Sequence, residues 1–241
     1  MVDEPGQGLS DGSEPFAPRA QRPARGGRVS LSVSKVLKPA NEAELAEMVR
    51  EAASSGDAIR ILGGGTRSSI GRPAEAKRVL SLAGMSGITL YEPAALTVVV
   101  KAGTPLAELQ AALDAESQML PFEPADYRAL LGSGGEPSVG GMFATGTSGP
   151  RRIQAGACRD SAIGVRFVDG SGEVLKSGGR VVKNVTGYDL VKLQCGAYGT
   201  LGVVTEIALK LLPKPETAAT LILGGLDDTR AVNALSRALA S

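Results

Sequence analysis

Three consecutive glycines, Gly63-Gly64-Gly65, constrain this chain more than any other feature. They follow a strand-length apolar run, Ala58 to Leu62, and lead into Thr66-Arg67-Ser68-Ser69. Upstream, Asn41 and Glu44 have capping-box spacing, and Leu45, Met48, Val49 and Ala52 fall on one helical face. Gly56 stands where that helix should stop. A helix, a strand and a glycine loop make an αβ unit suited to holding a phosphate. Glycines let backbone N–H groups turn toward one anion with no Cβ in the way. Thr66, Ser68 and Ser69 add hydroxyl donors, and Arg67 adds a guanidinium for a phosphate or a carboxylate. The loop is not a GxGxxG opening a helix, and no Lys-Ser or Lys-Thr follows it as in a P-loop. Taken alone, it reads equally as a phosphate cradle or a surface turn.

A second small-residue stretch runs from Ser138 to Gly149, as SVGGMFATGTSG. Such density allows backbone to approach a flat or extended ligand closely. It would also serve tight packing of a helix on a sheet. Two glycine segments flanking a helix–strand region favour a dinucleotide over a single phosphate.

Composition removes several alternatives. The chain has 241 residues, enough for one large domain or two small ones. A net charge of +1 gives no pull toward nucleic acid or an acidic membrane surface, and 3% aromatics leave no stacking platform for single strands. Histidine is absent, which excludes a His triad, a His metal ligand and a flavin attached through histidine. The two cysteines, Cys158 and Cys195, are far apart and supply no zinc set, so no metal site is expected. They read as small packed side chains in a reducing compartment. No apolar run reaches membrane-spanning length, and Asp3, Glu4, Asp11 and Glu14 argue against a secretory signal or transit peptide. The expectation is a cytoplasmic chain that is not an integral membrane protein.

Residues 1–28 are rich in Gly, Pro, Ser, Asp and Arg and predict a disordered tail. Strands are expected at Val79 to Leu82, Ile88 to Tyr91 and Leu96 to Lys101, with Thr104 capping a helix that Pro105 opens. Residues 121–160 predict no clear elements, and a stretch of that kind inside a compact domain is usually functional. Ile163 to Val168, the turn Asp169-Gly170-Ser171-Gly172 and Glu173 to Lys176 predict a hairpin. Alternation over residues 203–211 predicts a half-exposed antiparallel strand. A strand at Leu221 to Leu223 and a helix from Asp228 close the chain. The fold class is α+β, with two lobes and a cleft between them.

These landmarks, in this order, resemble the FAD-binding domain of the vanillyl-alcohol oxidase / p-cresol methylhydroxylase (PCMH) superfamily over residues 35–215. The resemblance rests on GGGTRSSIG at 63–71, Val99 to Thr104, SVGGMFATGTSG at 138–149, Gly156 with Arg159-Asp160, and Gly199 to Glu206. Three further segments resemble the flavoprotein subunits of bacterial glycolate oxidases: Gln118 to Pro124, Gly149 to Arg152, and Lys183 to Leu190. The resemblance implies a PCMH-type domain over 29–215, made of two α/β subdomains with FAD between them. Residues 216–241 would begin a truncated cap region, so the substrate-cap domain is largely missing. It implies diphosphate binding by Gly63, Gly64, Gly65, Thr66, Arg67 and Ser68. Gly140, Gly141, Ala144 and Thr145 would lie along the flavin and ribityl chain, followed by Ser148 and Gly149. Val203 would offer its backbone to the adenine or ribityl region.

The implied activity is flavin-dependent oxidation of glycolate, a 2-hydroxy acid, to glyoxylate. Implied partners are a second FAD-containing subunit and an iron–sulfur subunit, through which any membrane association would be peripheral. FAD is expected to be non-covalent, because Cys158 lies away from the position of a linking cysteine. Lys183 could stabilise a reduced flavin. No catalytic acid or base is assigned. A non-catalytic FAD-binding assembly subunit, or another flavin oxidoreductase of the same fold, stays open as an alternative.

Overall fold

Strand β1 (Lys35–Leu37), helix α1 (Glu42–Ser55), β2 (Ile59–Leu62) and β3 (Arg78–Ser81) form a parallel three-stranded sheet in the order β1-β3-β2. The structure, a computed structural model, describes residues 35–71, 76–179 and 187–239. The expected tail at 1–28 and Lys183 lie outside the described residues. Helix α1 starts as its capping signal requires. Asn41 Oδ1 accepts the Glu44 N–H at 3.0 Å, and the Glu44 carboxylate accepts back from the Ala40 N–H at 2.9 Å. It ends at Gly56, whose φ of 64° lets the chain turn left-handed.

An antiparallel five-stranded sheet follows, in the order β4-β5-β9-β7-β8. Its strands are β4 (Ile88–Glu92), β5 (Thr97–Lys101), β7 (Ala162–Val168), β8 (Val174–Gly178) and β9 (Val203–Lys210). Helix α2 (Leu106–Ala115) and β6 (Gln118–Met119) come after β5, and β6 pairs with the short β10 (Leu212–Pro213). Helix α1 packs on β7, so the parallel unit is joined to the antiparallel sheet through this helix. One core runs through both: Leu45 and Val49 of α1, Leu80 of β3, Val98 and Val100 of β5, and Ile207 and Leu209 of β9 belong to it.

Several expectations are corrected. Residues 203–211 do not form a half-exposed strand. Val203, Val204, Thr205, Ile207, Ala208 and Leu209 are all buried, because β9 is the central strand and helix α4 (Val139–Thr145) packs against it. Thr104 does not cap α2. Its hydroxyl donates to Lys101 O at 2.7 Å and accepts the Gly87 N–H at 2.9 Å, while the first helical N–H, that of Leu106, donates to Pro137 O. Residues 121–160 are not without elements: they hold α3 (Arg128–Leu131), α4, α5 (Arg152–Ala155) and α6 (Cys158–Ser161). Most are single turns, too short to show periodicity. Leu221 to Leu223 form no strand and are exposed. The expected hairpin is present, with Asp169 Oδ1 accepting the N–H groups of Ser171 and Glu173, each at 2.9 Å. Helix α7 (Leu190–Gln194) precedes β9, and α8 (Asp228–Leu239) ends the described chain.

Candidate functional site

The loop after β2 and the segment before α4 lie backbone against backbone. A Cβ on Gly64 would sit 1.4 Å from Glu136 O, and one on Gly63 would sit 2.2 Å from Ser138 Oγ. Gly65 makes the turn itself, at a φ of 75°. The glycines therefore serve two purposes: they let the second segment seat on the first, and they turn the loop. Thr66 is buried, and its carbonyl accepts from Ser133 Oγ at 2.7 Å. Among the described residues, the N–H groups of Gly64, Gly65, Thr66 and Arg67 have no acceptor. Ser68 is exposed, and its N–H closes back on Gly65 O at 3.3 Å.

Arg67 is anchored at one end only. Its Nη2 donates to Ala125 O at 2.8 Å, and its guanidinium carbon stands 5.3 Å from the centroid of the Tyr127 ring. Its Nε is buried without a partner. Burial holds its pKa below the usual arginine value, and the nearest carboxylate influence, that of Asp126, is itself bound up with Arg128. A cation so placed, on a cleft and with only one of its donors tied among the described residues, suits an incoming anion.

The second glycine segment is α4 and its ends. Ser138 caps the helix, accepting the Gly141 N–H at 3.2 Å, and Gly146 ends it at a φ of 62°. Gly140 is buried, and its N–H donates to Ala102 O at 2.7 Å. Thr145 Oγ1 donates to Gly141 O at 2.7 Å and stands 2.6 Å from Thr147 Oγ1. Ala144 O accepts the Tyr198 N–H, and Ser148 Oγ accepts the Cys158 N–H at 2.9 Å. Gly149 is pinned by Phe122 O and Glu123 O, both 2.8 Å from its N–H. Val203 is buried at the start of β9, opposite Val168.

Three of these residues, Arg67, Thr145 and Ser148, meet on one cleft of about 280 Å³. The other candidates (Gly63, Gly64, Gly65, Thr66, Ser68, Gly140, Gly141, Ala144, Gly149 and Val203) lie in the same loops, in α4 or in β9, and do not line it. Sequence reasoning did not assign Ile70, Tyr127, Thr147, Arg152 and Tyr198 to the site, although Ile70 and Arg152 stand in motifs it singled out; with Gly146 and Ala157 they complete the lining. Thr147 lies between two candidates and was within reach of the motif. Tyr127 and Tyr198 carry no local signal, and chain folding alone brings them here. Among the described residues there is no cluster of His, Cys, Asp or Glu able to hold a metal ion. No described helix is long and apolar enough to cross a membrane.

The unpaired N–H run, the unsatisfied Arg67 Nε and the hydroxyls of Thr145, Thr147 and Ser148 fit a phosphate-bearing ligand with further polar groups along it. Comparison with known proteins agrees. The FAD binding domain family model matches residues 33–178. The chain is 42% identical over 177 residues to glycolate oxidase subunit GlcE of Escherichia coli (strain K12), covering 73% of this chain and 49% of that one. It is 31% identical over 188 residues to glycolate oxidase subunit GlcD of Bacillus subtilis (strain 168), covering 78% and 38%. The chain thus spans half or less of the length of these relatives. Among solved structures, an alkyldihydroxyacetonephosphate synthase superposes with a TM-score of 0.60 at 21% identity, over 76% of this chain and 32% of that one, which shows the fold. By the family match and by these relatives, the chain belongs to the FAD-binding domain family, with FAD as its cofactor.

Proposed function

We propose that this chain is the FAD-binding part of a subunit of a glycolate oxidase or dehydrogenase complex. It would take part in the oxidation of glycolate, a 2-hydroxy acid, to glyoxylate. The observation that carries this reading is the convergence of Arg67, Thr145 and Ser148 on one cleft, in the same loops as four backbone N–H groups that have no acceptor among the described residues. The likeness to GlcE gives that cleft its chemical setting.

In this reading the N–H groups of Gly64 to Arg67 and the Arg67 guanidinium hold the FAD diphosphate. Gly63 and Ser68 bracket that loop. The hydroxyls of Thr145 and Ser148, with the backbone of Gly140, Gly141, Ala144 and Gly149, follow the ribityl chain and flavin, and Val203 supports the far end. Bound FAD supplies the two-electron redox chemistry, and the protein supplies position and electrostatics. FAD is held without a covalent bond. Residues 29–215 form the cofactor domain, and 216–241 open a following cap region. The partners are a second FAD-containing subunit, as the likeness to GlcD suggests, and an iron–sulfur subunit. The complex is cytoplasmic and meets the membrane only through such partners.

The test is purification with its neighbouring subunits, followed by flavin stoichiometry, acid release and an absorbance spectrum. Flavin should leave with acid or boiling, and addition of glycolate should bleach it. A colourless chain that takes up no added FAD overturns the reading. Flavin that is bound but never changes redox state in the active complex leaves an assembly role instead.

A further inference from the structure

Cys158 and Cys195, far apart in sequence, are brought together by the fold. Cys158 opens α6 and is fully buried, whereas Cys195 follows α7 and is only partly covered. Helices α6 and α7 pack on one another, Cys195 packs against the core that holds Cys158, and the two thiols lie close enough to influence each other's ionisation. Both are free thiols. They stand directly behind the cleft. Ala157, which precedes Cys158, and Ser148, whose Oγ accepts the Cys158 N–H, both line it. On the other side, a Cβ on Gly146 would lie 4.0 Å from Cys195 Sγ. The turn after Cys195 is fastened to α4, by Gly196 N–H to Phe143 O at 3.1 Å and Tyr198 N–H to Ala144 O at 2.8 Å.

The two thiols are not equivalent. Interaction with Cys158 pulls the Cys195 pKa down, and the charge of Arg159 helps, against partial burial and Asp160. The same pairing, together with burial, pushes Cys158 up. The accessible thiol therefore carries the thiolate character, and the buried one stands behind it as a resolving group.

We propose that Cys158 and Cys195 are a site of reversible oxidation, closing to an intrachain disulfide in the wall of the cleft. With a peroxide as oxidant, the Cys195 sulfur attacks one peroxide oxygen and the O–O bond breaks. The departing hydroxide leaves as water with the Cys195 proton, and Cys195 becomes a sulfenic acid. The Cys158 sulfur then attacks the Cys195 sulfur, the S–O bond breaks, and the hydroxide leaves as water with the Cys158 proton. Two thiols and one peroxide give one disulfide and two waters. The thiols lose two electrons, which the peroxide gains. The bond ties α6 to the turn that carries Tyr198, fixing two sides of the cleft to each other. This chemistry depends on the thiols alone, so it stands or falls independently of what the cleft binds.

The test is peroxide treatment of the purified 241-residue chain, then alkylation of remaining thiols under denaturing conditions and mass spectrometry of a tryptic digest. The expected product links the peptide Ile153–Arg159 to Leu193–Lys210, and a thiol reductant restores both free cysteines. In Cys158→Ser, Cys195 should stop at the sulfenic or sulfinic acid. In Cys195→Ser, Cys158 should survive the same treatment unmodified. Wild-type protein in which both cysteines remain alkylatable overturns the proposal. So does one in which Cys195 is over-oxidised while Cys158 stays free, or one whose only disulfides join two chains. The wild-type result decides the matter even if a serine variant fails to fold.

Discussion

Glu42, in the first turn of α1, grips Arg166 of β7 with both carboxylate oxygens: Oε1 accepts from Nε at 3.0 Å, and Oε2 accepts from Nη2. The Thr205 hydroxyl of β9 donates to the same carboxylate. One half-buried acid thus fastens the parallel unit to two strands of the antiparallel sheet. These side chains are far apart in sequence, so the contact exists only once both units have formed.

Replacing Glu42 should therefore weaken the fold. Glu42→Ala leaves Arg166 and Thr205 without their shared acceptor, and a loss of about 1–3 kcal/mol is expected in urea unfolding near neutral pH. The Arg166 hydrogen bond lowers the Glu42 pKa, against partial desolvation. A carboxylate whose pKa is depressed on folding stabilises the fold above its unfolded value, about 4.3. That contribution disappears as pH falls through the lower folded value. The gap between wild type and Glu42→Gln should accordingly narrow on acidification through that window. An unchanged gap would show that the contact contributes nothing through charge.

Gly64 gives a sharper test of how the two glycine segments meet. A Cβ there would overlap Glu136 O at 1.4 Å, and the obstructing atom is backbone. Gly64→Ala should cost about 1–3 kcal/mol from forced separation of the segments. It should also lower the flavin-to-protein ratio of the purified chain. Gly134 is the control, since a Cβ there meets nothing within 4 Å and its φ is not positive. Gly134→Ala should leave melting temperature and flavin content near wild type. Equal effects at the two positions would remove the packing argument.

Helix α1, its cap at Asn41 and its stop at Gly56 were legible in sequence because their signals are local. So was the hairpin turn around Asp169. Strand β9 was misread because alternation reports one covered face, whereas residues on both of its faces are buried, with α4 packed on the strand and Glu42 of α1 reaching Thr205. The turns within 121–160 were invisible for a different reason: four-residue helices have no period. The cleft was half legible. Its glycine segments and the Gly149 to Arg152 segment announce themselves, but Tyr127 and Tyr198 reach it only through tertiary packing. The pairing of Cys158 with Cys195 is likewise a product of α6 meeting α7.

Ser138 tests the start of α4 separately from the loop. Its Oγ accepts the Gly141 N–H and also stands where a Gly63 side chain would be. Ser138→Ala removes the cap and should cost about 1 kcal/mol. Ser138→Asp restores an acceptor but places a negative charge beside the loop. It should recover thermal stability while binding FAD more weakly than wild type. Recovery of both would mean that the loop does not bind an anion.

Arg67 carries the last prediction. Its Nη2 bond to Ala125 O and its place over the Tyr127 ring hold the guanidinium rigidly on the cleft wall, with a buried Nε that has no partner among the described residues. Lysine keeps the charge but loses the planar fork, so it cannot bond Ala125 O and the ligand together. Arg67→Lys should weaken FAD binding by about tenfold, roughly the 1.4 kcal/mol within the range of one charge-assisted hydrogen bond. Arg67→Met, of similar length and without charge, should weaken it further. Because burial already disfavours the charge, Arg67→Met should unfold no more easily than wild type without FAD. Titration of the FAD-free chain with FAD, followed by flavin fluorescence, reads the affinities, and urea unfolding of the same preparations reads the stabilities. Unchanged affinity in Arg67→Met would take Arg67 out of the cofactor site. A large loss of stability in the FAD-free chain would instead make it a structural residue.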